Sequence, residues 1–133
     1  MAWLRSPRTG VALAALAFLV FFGRALLDWR FVYPDFIAEA DVAVTAAAIA
    51  FYLAVGAVWL WGIVGMAAGR RSGANAVLIL ALLGLVVGGV ATPLALCAFP
   101  CQTAWPLMEI VNWTGIVVGA LAAASAFLSR PSA

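Results

Sequence analysis

Apolar residues in this chain do not alternate with polar ones at the period of a strand or of a half-buried surface helix. They come in long unbroken runs separated by short charged stretches. The clearest run is Ala74 to Leu96, 23 residues without a charge. As a helix it would reach about 35 Å, against a bilayer hydrocarbon core of roughly 30 Å. It holds three glycines and Pro93, which propensity disfavours in water. In a membrane, neighbouring helices can satisfy the backbone groups that such residues disturb. The run is read as a transmembrane helix, kinked or ended early at Pro93.

The other runs follow the same logic. Val11 to about Leu27 is short and follows Arg5 and Arg8, which gives it some likeness to a signal peptide. It is long for such a core and no small-x-small site follows, so an uncleaved first span is expected. Val42 to Ala67 is long enough to cross with some tilt, and Ile110 to Leu128 makes a fourth span. Residues 28–41 mix four acids and Arg30 with Trp29, Phe31, Tyr33 and Phe36, as a connection at headgroup level requires. Asp41 is an expected N-cap. Gly69, Arg70, Arg71, Ser72 and Gly73 read as a tight turn. Pro100 and Pro106 argue against a continuous helix before the fourth span, so Glu109 is expected just ahead of that span.

Composition agrees with this division. Of 133 residues, 68% are apolar and 9% charged, where a soluble domain carries about 25% charged residues. The expected fold is therefore all-α: one integral membrane domain over residues 1–133, an antiparallel four-helix bundle with spans at about 11–27, 42–67, 74–96 and 110–128. The charges orient it. Arg5, Arg8, Arg70, Arg71 and Arg130 fall on one side of the predicted membrane, and Arg24 and Arg30 on the other. The positive-inside rule puts the larger set, and with it both termini, in the cytoplasm. The expected location is the cell membrane, multi-pass, in the cytoplasmic membrane of a prokaryote.

The net charge of +2 is carried by scattered arginines, which gives nucleic acid no footprint. The chain has no histidine, which rules out bis-histidine haem ligation within it and removes the commonest zinc ligand. No lysine is available for a Schiff base, and no phosphate-binding loop, H-E-x-x-H or G-x-G-x-x-G motif occurs. No metal site and no cofactor are predicted. A bound lipid or pigment stays open, because Phe22, Phe51, Trp59 and Trp61 would suit either as well as a protein partner.

The candidate sites each have a plain structural counterpart. Cys97 and Cys101, on the expected outer side, suit a disulfide staple. Two free or separately used cysteines are the next reading, and redox exchange is less favoured, since the spacing is one longer than Cys-x-x-Cys and no His or Lys would lower a thiol pKa. Gly84 with Gly88, Gly115 with Gly119, and Gly65 with Gly69 have the i, i+4 spacing that lets helix backbones approach closely. Arg24, Glu109 and Asn112 are the candidate polar groups within or beside the spans. Arg24 can extend its stem to the headgroups or pair with Asp28. Glu109 can complement a helix dipole or bind a cation, and Asn112 suits an interhelical hydrogen bond. The expected partners are membrane lipids and other membrane chains. The leading functional expectation is an accessory or structural subunit of a larger membrane complex, more a non-enzyme than an enzyme. The alternatives are a small homo-oligomeric transporter or channel, and a thiol-active membrane protein using the cysteine pair.

Overall fold

The computed structural model describes residues 2–31, 42–86 and 105–131. These residues are all-α: a 3₁₀ turn Ala2–Arg5, then α1 (Pro7–Phe31), α2 (Val42–Ala67), α3 (Arg71–Val86) and α4 (Trp105–Leu128), with no strand among them. Three stretches, Pro7–Leu26, Val42–Ala67 and Ile110–Leu128, are long and apolar enough to cross a membrane. α3 is apolar and spans 16 residues as described. Residues 87–96 of the expected third span lie outside the described residues. So do Cys97 and Cys101, the Asp41 cap and residues 32–41.

The helices are longer than the apolar runs. α1 starts at Pro7 rather than Val11, with proline at the first helical position, where its missing N–H costs nothing. The Ser6 carbonyl accepts the Gly10 N–H at 3.0 Å and opens the ladder. α1 then runs on through Asp28 and Arg30 to Phe31. Charge marks a change of medium and does not by itself break a helix. α4 likewise begins at Trp105, with Pro106 in its first turn, a place that tolerates proline. Glu109 therefore lies inside α4 rather than ahead of it.

The α2–α3 connection is shorter than expected. The Gly69 N–H donates to the Met66 carbonyl (3.0 Å), and the Arg70 N–H to the Gly65 carbonyl (2.8 Å). This pair of bonds is a Schellman termination, and Gly69 takes the left-handed φ of 73° that it needs. Helix resumes at Arg71, so Ser72 and Gly73 are helical and not part of the turn.

So short a link forces the two axes together. A Cβ on Gly65 would lie 3.0 Å from the Gly73 Cα, and a Cβ on Gly73 would overlap the backbone of Gly65 and Met66. One turn farther from the link, Gly62 faces Val77 and Ala76. Around the bundle, α1 packs extensively on α4, α4 on α3 and α3 on α2, while α1 and α2 meet over less backbone. Contacts along α1 and α4 run in opposite chain sense, from Leu4 with Ser125 to Arg24 with Asn112.

The core is built of small residues. Ala14, Ala17, Ala81, Ala122, Ala123 and Ala126 are buried, with Trp59, Met66, Val77 and Val118 filling the larger gaps. The Trp59 indole N–H donates to the Ala14 carbonyl at 3.2 Å, in the interior. The buried Ser125 hydroxyl donates to the Leu4 carbonyl at 2.8 Å and ties the first turn onto α4. Many large apolar side chains face outward instead, among them Leu19, Phe51, Leu53, Leu60, Val64, Leu83 and Val117. Water disfavours so much contiguous apolar surface, and lipid accepts it.

Gly73→Ala should disrupt this arrangement, because the added methyl meets backbone rather than a movable side chain. We expect a loss on the order of 1–3 kcal/mol, read as a lower unfolding midpoint in detergent. Gly84→Ala is the control. Among the described residues nothing lies within 4 Å of its added Cβ, so its midpoint should hold or rise.

Candidate functional site

The interior of the described bundle is almost wholly apolar, so its polar contacts stand out. The most informative joins α1 to α4: Arg24 Nη1 donates to Asn112 Oδ1 at 2.7 Å, half-buried between the helices. Arg24 sits near the end of the apolar stretch Pro7–Leu26, and Asn112 near the start of Ile110–Leu128. Along α1, Arg24 lies roughly 25 Å from Pro7. The pair therefore marks one margin of the apolar slab, at the end opposite Leu4 and Ser125.

Asn112 gives the guanidinium a neutral amide acceptor, so this bond is charge-assisted. The pair can pin the two helices at this margin.

An aromatic cluster fills the space beneath. Phe18, Phe21 and Phe22 of α1 meet Tyr52 and Trp59 of α2. The Phe18 and Phe22 rings are 4.6 Å apart, Phe21 and Trp59 5.7 Å, and Phe21 and Tyr52 6.3 Å. Phe22 lies over Gly56, where a Cβ would come within 2.7 Å of the ring. These rings hold α1 and α2 apart, which accounts for their thinner backbone contact. They also divide the aromatic residues first grouped by sequence. Phe22 and Trp59 are used inside the bundle, whereas Phe51 and Trp61 face outward.

No protein-family model, curated protein or solved structure matches this chain. What it does has to be argued from its own geometry.

The structure sorts the remaining candidates. It brings Arg24 and Asn112 together, and it places the Glu109 backbone in α4, one turn before Asn112. The Glu109 side chain lies outside what is described, as do Cys97, Cys101 and Gly88. Among the glycines, Gly65 makes a close helix contact, but with Gly73 and not through a pairing with Gly69, which is a turn residue. Gly119 faces Leu85, and Gly115 faces Val20 at 3.5 Å, an ordinary contact. Gly84 meets no described neighbour. Among the described residues, no group of three or more His, Cys, Asp or Glu could hold a metal ion.

Sequence reasoning missed Gly10, whose missing Cβ makes room for the end of Met66, and it missed the roles of Gly73 and Ser125. Gly73 was hidden by its polar neighbours, which read as a loop. Ser125 was the better signal: a lone hydroxyl in the run Ala122–Ala126 needs an acceptor, and the Leu4 carbonyl supplies it.

A double-mutant cycle on Arg24→Leu and Asn112→Leu should show a coupling of about 0.5–2 kcal/mol. Tryptophan fluorescence during unfolding in mixed micelles would measure it. Additive single effects would mean that the bond contributes nothing to holding α1 on α4.

Proposed function

We propose that this chain is a multi-pass membrane subunit that works by lateral packing against other membrane chains, with both termini and the α2–α3 turn on the cytoplasmic side of a prokaryotic cytoplasmic membrane. The observation that carries the reading is the outer face of α2. Only 11% of its apolar window is buried within the bundle, against 17% for the stretch in α1 and 33% for that in α4. The open face bears Phe51 and Trp61 among aliphatic side chains. Rigid aromatic groups offer large contact area with little rotamer freedom to lose, which suits a protein partner.

Two further points support a scaffolding role. The half-buried Arg24–Asn112 bond holds α1 on α4. Among the described residues the interior is filled mainly by alanine, glycine and aromatic rings. The glycines enter this proposal differently than their spacing suggested. Gly10, Gly56, Gly62, Gly65, Gly73 and Gly119 are occupied within the chain, so the aromatic face of α2 takes over the lateral contact. Orientation rests on the five arginines at one end of the bundle.

Extraction from the native membrane in a mild detergent should bring down unrelated membrane chains in fixed ratio, and Trp61→Ala with Phe51→Ala should release them. A homogeneous monomer would count against the proposal, and a pure homo-oligomer would favour the transporter or channel reading instead. Arg70→Cys should resist a membrane-impermeant maleimide in intact cells and react once the membrane is opened. Labelling in intact cells would reverse the orientation.

A further inference from the structure

The end of the bundle opposite Arg24 gathers five arginines that the sequence scatters over 126 residues, from Arg5 to Arg130. Three contacts assemble them. The Ser125 hydroxyl holds the Leu4 carbonyl, which fixes Arg5 beside the end of α4. Gly10 packs against Met66, Ser125 and Ser129, which brings the start of α1, with Arg8, to the end of α2 and to Arg130. The Schellman turn then places Arg70 and Arg71 just past the end of α2. Arg5, Arg8, Arg70 and Arg71 are exposed and Arg130 is half-exposed. All five acids lie elsewhere in the sequence, at Asp28, Asp35, Glu39, Asp41 and Glu109.

This placement opposes the local electrostatics of the helices. Arg8 lies in the first turn of α1 and Arg71 opens α3, with no acid in either first turn. The positive end of a helix dipole disfavours cations. Two such ends carrying guanidinium groups leave uncompensated positive charge on this face, which an anion would relieve. The rim has the amphipathic groups of a membrane interface. Trp3 is exposed, and the Arg130 guanidinium lies over the Phe127 ring at 4.7 Å. The outward apolar belt begins immediately beyond this rim, so the arginines stand where headgroup phosphates would lie.

We propose that this five-arginine end binds anionic phospholipid headgroups of the adjacent leaflet, in preference to zwitterionic ones. Guanidinium suits the task, because its planar fork pairs with two phosphate oxygens at once. An acidic protein segment would meet the same charges. The lipid is favoured because the patch adjoins the outward apolar surface and carries the exposed aromatics Trp3 and Phe127.

The test uses the full chain in detergent with an equimolar mixture of phosphatidylglycerol and phosphatidylcholine, and counts retained lipids by native mass spectrometry. Wild type should retain phosphatidylglycerol preferentially, by on the order of fivefold for each arginine engaged, and high salt should erode the preference. Arg70→Gln/Arg71→Gln/Arg130→Gln should lose most of it with an unchanged unfolding midpoint. Arg24→Gln, at the other end, should keep it. Equal retention of the two lipids by wild type, or a preference indifferent to salt, would overturn the proposal whether or not the triple variant folds. Saturable binding of poly-glutamate with no lipid preference would assign the patch to an acidic protein instead.

Discussion

The fold turns on how closely two helix backbones can approach where burial from water supplies no drive to pack. Lipid tails are as apolar as leucine, so helices in a bilayer gain from contact mainly through van der Waals packing and interhelical hydrogen bonds. Gly65 on Gly73 is the extreme case here, with no side chain on either helix at the point of contact. The turn beside it leaves no slack, since the Schellman bonds end α2 and α3 begins one residue after Arg70. Length of link and size of residue specify the same geometry. The alanine surfaces of α1 and α4 extend the principle around the bundle, and the large aliphatic groups are left to the outside.

The α1–α2 side departs from this rule and shows what it costs. Phe18, Phe21 and Phe22 against Tyr52 and Trp59 give up close backbone approach for ring contacts, and Gly56 recovers part of it beneath Phe22. Trp59 would be a poor interior residue if its indole N–H had no partner. The Ala14 carbonyl accepts it, so the largest side chain of the core is satisfied without a second polar side chain. The lone buried hydroxyl among the described residues, Ser125, is handled the same way by a main-chain acceptor. Main-chain acceptors thus keep the interior uncharged, and the one polar side-chain pair described between helices stands at its margin.

What could be read from the sequence divides along physical lines. Apolar runs identify the helices because a bilayer demands backbone bonds made within each segment, and that demand is visible in composition alone. Their ends were misplaced where polarity and helicity part company: Pro7 and Pro106 open helices, and Asp28 and Arg30 continue one. The pairing of Arg24 with Asn112 was not legible, since each reads alone as a headgroup-seeking or helix-bonding residue, and only the register of α1 on α4 joins them. Glycine spacing shows only part of the packing, for a related reason. An i, i+4 pair describes one helix face, whereas Gly65 and Gly73 lie on different helices and their spacing includes a turn.

The two margins of the slab are held in different ways, and the difference bears on what each can do. At one margin a guanidinium is drawn half into the bundle and given a neutral amide partner, so its charge is fixed in place and shared between helices. At the other, Arg5, Arg8, Arg70 and Arg71 stay exposed and Arg130 lies over the Phe127 ring, while main-chain bonds, glycine contacts and the Ser125 hydroxyl hold the helices beneath them. Exposed charge can meet whatever anion the surroundings provide. Separating the two tasks also explains why Arg70 and Arg71 tolerate a helix start that the dipole disfavours: the close contact of Gly65 and Gly73 anchors α3 there.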